Sequence, residues 1–373
     1  MRILLLSAYD TDSHKSWCQG LMANLPHHQW HYLTLPGRFF SWRIRGNALS
    51  FAYGDDAQAL QQPFDLVIAT SMVDLATLKG LSPNLASTPS ILYFHENQFA
   101  YPKSAQQHTS IEPQMVNIYS ALSADYVLFN SQFNQHSLLA GITDLFKRLP
   151  DHAPLNAIAS IQAKSQVLPV PIQAKHAHRD SVFKGGETLK VIWNHRWEYD
   201  KGPETLAHLI KLAHLQQLNI EFTICGMSFR NIPTEFNQLI QHTPENLKHM
   251  ATFTSKAEYL TQLGEHHVVL STAHHEFQGI AVLEGAAYGC IPLAPNRLAY
   301  PEWIPATCLY ENASAEVEAQ HILQRLKIWQ QQGLPPCVDV CHYDWQVLAQ
   351  EYERILIDVS QINQKGENHD TLL

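Results

Sequence analysis

The sequence lacks any unbroken apolar run of the ~18 to 20 residues that a membrane-spanning helix requires, so no segment reads as a span. Met1 to Ala8 is apolar but too short, and without the flanks of a secretory signal, so the chain is expected in the cytoplasm. Cysteine is scarce. Six of 373 residues, Cys18, Cys225, Cys290, Cys308, Cys337 and Cys341, are scattered in a pattern that excludes a disulfide framework and implies reduced thiols. Cys337 and Cys341, the one close pair, match no common zinc or haem spacing even with His342 adjacent, so no metal is assigned. There is no repeat of fixed period and no low-complexity tract. Positive charge is not in excess either. With 25 Lys+Arg against 34 Asp+Glu the formal net charge is −9, which gives no general argument for nucleic acid, although 22 histidines titrate near neutral pH.

What is present is enough apolar material for two cores, since single cores stop growing near ~250 to 300 residues and 45% of this chain is hydrophobic. Short apolar runs end in polar loops at Arg2 to Ser7, Phe64 to Thr70, Ser90 to His95 and Asp125 to Asn130, with helical stretches such as Asp74 to Leu81 and Met115 to Ala124 between. This is the alternation of a parallel, doubly wound sheet, whose ligands gather at the carboxyl ends of its strands. Thr70-Ser71, His95-Glu96-Asn97 and Asn130-Ser131 therefore converge on one crevice. A stretch from Val167 to Ile172, then a polar tract to Gly186, marks a crossing. A second series follows: strands at Leu189 to Asn194, Ile220 to Gly226, His267 to Ser271 and Ile291 to Ala294, with helices beginning near Pro203, Thr234 and Ala257. The expected domains are 1–172 and 173–342, with a terminal helix at about 343–360 that has apolar residues at helical spacing. Residues after Gln361 read as frayed.

One stretch narrows function most. After the strand ending at Ser271 come Glu276-Phe277-Gln278-Gly279, then a small-residue helix from Ile280 to Tyr288 that Gly289 can end through a left-handed position. The free N–H groups of Gly279, Ile280 and Ala281 and the helix dipole suit an anionic diphosphate. Glu284, one turn deeper, is placed to accept from ribose hydroxyls, and Glu276, in the loop, to face a sugar. Upstream, Asn194-His195-Arg196-Trp197-Glu198-Tyr199-Asp200-Lys201-Gly202 puts two cations, Arg196 and Lys201, on the loop before a helix. A departing nucleoside diphosphate carries about two negative charges that such fixed cations stabilise. In the first domain, Leu35-Pro36-Gly37-Arg38-Phe39-Phe40-Ser41-Trp42-Arg43-Ile44-Arg45 interleaves basic and aromatic residues, a pattern that carries phosphates and stacks bases, or forms an ordinary polar surface strand and loop.

The order strand, Glu-Phe-Gln-Gly, small-residue helix, Gly-Cys-Ile-Pro-Leu-Ala resembles the signature of retaining glycosyltransferases of the GT-B fold, family-four type. More specifically, Leu35-Pro36-Gly37-Arg38 with Trp42-Arg43-Ile44-Arg45, Tyr93-Phe94-His95-Glu96-Asn97-Gln98 with Tyr101-Pro102, Phe129-Asn130-Ser131, and Leu149-Pro150-Asp151-His152 resemble the tRNA-queuosine α-mannosyltransferase branch. The resemblance runs from Met1 to about Tyr352. It implies two Rossmann-like domains facing a cleft, the terminal helix crossing back to the first, and transfer of mannose from GDP-mannose to the cyclopentenediol of queuosine in tRNA. By the same resemblance Arg196, Lys201, Glu276 and His95 are catalytic, and Gln278, Gly279, Ile280 and Glu284 hold the donor. Ser13, His14, Glu96, Asn97, Arg38, Arg43 and Arg45 are expected on the acceptor side, with no resident cofactor or metal. Asp10-Thr11-Asp12 stands where many GT-B chains have a glycine-rich loop. It suggests the metal-binding carboxylates of the GT-A fold, but follows the first strand of a GT-B-like chain and is not read so. Alternatives are a hexosyltransferase that uses a UDP- or GDP-sugar on a lipid, polysaccharide or small molecule, a sugar-nucleotide epimerase of the same fold, and a non-catalytic nucleotide-binding module.

Overall fold

A computed structural model describes residues 1–101, 110–149, 151–173, 183–227, 232–242, 244–253 and 255–362. Pro102, Pro150, most of the polar tract at the crossing and the tail from residue 363 lie outside the described residues. The chain divides into two compact units, Met1–Pro171 with Trp345–Leu373, and Ile172–Asp344.

Unit 1 runs β1 (Arg2–Asp10), α1 (Asp12–Asn24), β2 (Gln29–Pro36), α2 (Phe40–Tyr53), β3 (Leu66–Thr70), α3 (Leu75–Leu81), α4 (Pro83–Ala86), β4 (Ser90–Phe94), α5 (Glu112–Ser123), β5 (Tyr126–Phe129), α6 (Gln132–Arg148), α7 (Asn156–Ala163) and β6 (Ser165–Val167). Its six strands form one parallel sheet in the order β2-β1-β3-β4-β5-β6. The central strands carry apolar runs because helices cover both faces, and Ile3 to Leu6 are fully buried. β2 escaped the sequence reading. It is an edge strand whose residues are all partly exposed, so it carries no apolar run. Asp74 caps α3 by accepting from Thr77 N at 3.2 Å, and Ser131 caps α6 by accepting from Asn134 N at 3.0 Å.

Unit 2 runs β7 (Leu189–Trp193), α8 (Pro203–Leu215), β8 (Ile220–Cys225), α9 (Thr234–Gln241), β9 (Leu247–Ala251), α10 (Lys256–Glu265), β10 (Val268–Leu270), α11 (Ile280–Ala287), β11 (Ile291–Pro295), β12 (Leu309–Tyr310) and α12 (Ala315–Gln332). Its parallel sheet has the order β12-β11-β10-β7-β8-β9. Gly289, at φ 87°, ends α11, and Cys290 N donates back to Gly285 O at 3.0 Å.

The chain returns to unit 1 as α13 (Trp345–Ser360). Trp17 Nε1 donates to Tyr352 Oη at 3.0 Å, and Tyr352 Oη bonds Tyr93 Oη at 3.2 Å and Pro169 O at 3.0 Å, so the helix is fixed by a buried aromatic cluster. Both crossings lie side by side: Ile172 N donates to Tyr343 O at 2.9 Å and Ile172 bridges Asp344. That pairing carries Ile172, Tyr343 and Asp344 into unit 2.

Candidate functional site

In unit 2 the loop after β7 is docked on the loop after β10 by backbone bonds that local sequence does not announce. Asp200 O accepts from His274 N at 2.8 Å and His275 N at 3.2 Å, and Thr272 Oγ1 donates to Lys201 O at 2.7 Å. Gly202 takes φ 64°, and a Cβ there would lie 2.0 Å from Thr272 O, so only glycine permits the approach. The consequence is a buried ion cluster. Lys201 Nζ donates to His275 O at 2.8 Å and lies 3.3 Å from Glu276 Oε2 and 3.3 Å from Asp200 Oδ2, with 8% of its side chain exposed. Burial opposes the Lys201 charge, but Glu276 and Asp200 outweigh it and hold its pKa above the usual lysine value. Burial likewise tends to raise Glu276, yet Lys201, then the His195 and His275 rings and the Gly279 N–H, hold that carboxyl at about 2.

Arg196 is 42% exposed and pairs with Glu198 at 3.1 Å. The two intra-loop pairs expected of a plain surface loop, Arg196 with Glu198 and Lys201 with Asp200, therefore both exist, but Lys201 is in addition bound to Glu276 across 75 residues. His195, which the sequence reading passed over, is buried beneath this cluster; burial and then Lys201 push its pKa down to about 3, so its ring is neutral.

Glu284 lies on the same unit through a relay. Its carboxylate accepts from Lys256 Nζ at 2.5 Å and Tyr259 Oη at 2.9 Å, while Asn194 Nδ2, just before His195 and Arg196, donates to Tyr259 Oη and to Ala281 O, both at 2.8 Å. Lys256 and Tyr259 come from α10, where no motif marks them; the only signal is the capped start Ser255-Lys256-Ala257-Glu258.

One expectation at α11 needs correction. The Gly279 N–H is bound to the Glu276 carboxylate and is not free for a ligand. Gly279 has φ 82°, and its missing side chain makes room for Tyr300, whose Cε1 would lie 2.7 Å from a Cβ. Ile280 stays half-buried at the helix start, and Gln278 is buried.

In unit 1 the loop after β4 is held by an amide network. Asn130 Nδ2 donates to His95 O at 2.8 Å and Asn134 Nδ2 to Phe94 O at 2.9 Å. Asn97, expected at the acceptor, belongs to this scaffold. It is fully buried, donates to Asn134 Oδ1 at 2.9 Å and Ser137 Oγ at 2.8 Å, and accepts from Phe99 N and Ala100 N at 3.0 Å. The scaffold presents His95, 5% exposed, stacked on His14 at 4.2 Å and edge-on to Trp17 at 4.9 Å. Neither ring nitrogen of His95 has a partner among the described residues. Burial, then His14, push its pKa well below the usual histidine range. His14 Nε2 bonds Glu96 Oε2 at 3.0 Å. Ser13 and His14 stand in the first turn of α1, Ser13 exposed and His14 buried. Asp10, of the acidic triplet, accepts from Ser7 Oγ at 2.9 Å and Tyr32 Oη at 2.7 Å.

The basic segment is the end of strand β2 at Leu35 and Pro36, a short loop at 37–39, and from Phe40 a helix that the strand-and-loop alternative did not include. Its arginines separate. Arg38 is exposed and lies over the Phe39 ring at 5.7 Å; Arg43 is buried, its pKa lowered by burial and then by Arg38; Arg45 pairs with Asp74 at 2.7 Å and Glu112 at 3.2 Å. Phe39, at φ 56°, and Trp42 are 73% and 57% exposed.

Sucrose-phosphate synthase from Thermosynechococcus elongatus superposes with a TM-score of 0.66 at 14% identity, over 96% of this chain and 99% of that one. The E. coli trehalose-6-phosphate protein bound with UDP-2-fluoro glucose gives 0.64 at 14%, over 97% and 99%. These likenesses show the GT-B fold. A family profile described as tRNA-queuosine alpha-mannosyltransferase N-terminal matches residues 2–172. The tRNA-queuosine alpha-mannosyltransferase of Drosophila melanogaster is 36% identical over 321 residues, 84% of each chain. With that identity and extent, the chain belongs to the tRNA-queuosine alpha-mannosyltransferase family of glycosyltransferases.

Proposed function

We propose that this chain transfers mannose from GDP-mannose to the cyclopentenediol of queuosine in tRNA, with retention of the α configuration and without a metal at the reacting centre. Family membership supports the acceptor class and the sugar. The buried Lys201–Glu276 pair beside Arg196 is the observation that carries the chemistry. Arg196 and Lys201 stabilise the charge that develops on the departing diphosphate, an interaction strongest in the transition state. The start of α11, with Gln278, Gly279 and Ile280, faces the donor, Glu284 receives the ribose hydroxyls, and Glu276, kept ionised at about 2, holds the sugar hydroxyls. No protein nucleophile acts: the leaving diphosphate takes the acceptor proton as the new bond forms on the same face.

On unit 1, His95 offers two ring nitrogens without a partner among the described residues, in a neutral imidazole able to donate one hydrogen bond and accept another. His14 and Glu96 orient it, Ser13 and Arg38 contact the acceptor, and residues 1–172 with 343–360 serve as the acceptor-side domain while 173–342 bind the donor. A cytoplasmic location fits a tRNA acceptor, and no helix among the described residues is long and apolar enough to cross a membrane.

A uridine-linked donor is a second reading, favoured by the UDP-2-fluoro glucose bound in the E. coli structure of the same fold. Labelled GDP-mannose and, separately, UDP-sugars are incubated with the protein and tRNA that carries or lacks queuosine, and the digested nucleosides are weighed. A mannosyl adduct only with GDP-mannose and queuosine-containing tRNA is expected. Transfer from UDP-sugars alone, or to tRNA lacking queuosine, overturns the proposal.

A further inference from the structure

Outside the site described above, His27, His28 and Glu353 form a cluster that no motif announces. His27 and His28 stand between α1 and β2, and Glu353 is on α13, more than three hundred residues later and in the same unit. One carboxylate receives both rings: Glu353 Oε1 lies 3.1 Å from His27 Nε2 and Oε2 lies 2.9 Å from His28 Nε2. The three donor atoms lie within 4.8 Å of one another, and this is the one such group of potential ligands among the described residues.

Side-chain chemistry narrows what such a group takes. Two imidazole nitrogens and a carboxylate are the ligand set of open zinc sites, which complete a tetrahedron with water, whereas magnesium and calcium prefer all-oxygen shells. Ligand atoms about 2.1 Å from one zinc stand roughly 3.4 Å apart in a tetrahedron. His27 and His28 already meet both oxygens of one carboxylate at closer spacing, so a small outward turn of His27 separates the donors toward the tetrahedral spacing. His27 is 57% exposed and has the freedom to turn, while His28 is buried against Trp30 with ring centroids 5.9 Å apart. His28 Nε2 donates to Glu353 Oε2 in the ion pair, and His28 Nδ1 has no partner among the described residues, so the proton can move to Nδ1 and leave Nε2 to a metal.

We propose that His27, His28 and Glu353 bind a divalent transition metal, zinc by preference, as a clip between the segment before β2 and α13. The neighbouring residue in the chain, Tyr352, bonds Trp17 and Tyr93, both of which touch the His95 ring. The clip therefore fastens the helix that backs the His95 scaffold, and it takes no part in the transfer chemistry. It stands or falls independently of donor and acceptor.

The full chain, stripped with a chelator, is titrated with zinc chloride by calorimetry and with cobalt(II) by visible absorption, alongside His27→Ala and Glu353→Gln. His27 is exposed enough that its truncation leaves the fold intact, which apo melting curves check. The expected result is one tight equivalent in the parent chain, cobalt bands of a four-coordinate site, and a zinc-dependent rise in melting temperature. Each variant should bind about a hundredfold or more weakly and lose the rise, because even changes outside the ligand shell cost about 10- to 100-fold in metal affinity. If the parent chain takes up no zinc, or if either variant binds it as tightly as the parent, the cluster is an ion pair only.

Discussion

Lys201 Nζ lies 3.3 Å from Glu276 Oε2 although 75 residues separate them, and the ammonium is buried while Arg196, on the same loop, remains 42% exposed. The two cations therefore differ in what their removal costs. Lys201→Ala leaves Glu276 and Asp200 without their counter-charge, and breaking a buried pair in this way costs about 3–5 kcal/mol of stability. Arg196→Ala should leave the melting temperature within a degree or two and lower kcat about a hundredfold, with a smaller effect on donor affinity. Melting curves beside steady-state kinetics check both; a normal kcat in Arg196→Ala removes that residue from leaving-group stabilisation.

Counting charges around Lys201 gives a second expectation. Arg196 and Lys201 oppose Glu198, Asp200 and Glu276, so the cluster is not cationic before the donor arrives. Glu198 competes with a diphosphate for Arg196. Glu198→Gln should release it and tighten GDP-mannose binding several-fold by calorimetry, while an unchanged or weaker affinity indicates that Arg196 never exchanges partners.

The pH dependence follows from two buried groups. His195 has a folded pKa of about 3 against about 6.5 when unfolded, so between those values the unfolded chain binds a proton that the folded chain does not, and stability falls as pH drops below about 6.5. Glu276, at about 2 against an unfolded value of about 4.3, contributes fully above that value and loses its contribution as pH falls through 2. The melting temperature should thus decline already from pH 6.5 to 4.5, and His195→Asn should flatten that arm. An equal slope in the variant shifts the effect to His95 and His28, whose pKa values burial also lowers.

Gly279→Ala tests the entry to α11. A positive φ and the Tyr300 ring both resist the added methyl, at a cost of about 1–3 kcal/mol for the strained backbone alone. Circular-dichroism melts should show a fall that Tyr300→Ala does not rescue, because the φ penalty persists. Full rescue makes steric contact the whole cause.

On the acceptor side, Arg38→Glu is the clean charge reversal among the three arginines. Arg43 is buried and Arg45 already pairs with Asp74 and Glu112, so changing either disturbs the fold. Arg38→Glu should raise KM for tRNA and lessen its salt dependence, leaving GDP-mannose affinity unchanged. Equal KM for tRNA removes this exposed Arg38, Phe39 and Trp42 surface from the acceptor site.

The sequence made the central strands, the helix at Ile280 and the terminal helix legible, since strands buried on both faces are written as apolar runs and α13 as a helical stripe. Edge strands β2, β9 and β12 were not, because partial exposure or brevity removes that pattern. Arg196, Lys201, Glu276 and Glu284 could be found because each sits in a local motif. Lys256 and Tyr259 could not, as they reach Glu284 from a separate helix with no spacing to mark them. Asn97 looked like a contact residue because it stands at a strand end; its partners, Asn134 and Ser137, lie three elements later, on α6. The adjacent His27 and His28 gained meaning only when the fold brought Glu353 to them.

The return of α13 to the first unit has a consequence for biosynthesis. A ribosome releases residues 1–171 and then all of the second unit before Trp345 and Tyr352 appear, so the indole of Trp17 and the phenol of Tyr93 wait uncovered for most of translation. Maturation of the first unit therefore waits until the second has been synthesised, and a chain stopped before codon 345 would lack the helix that covers Trp17 and Tyr93.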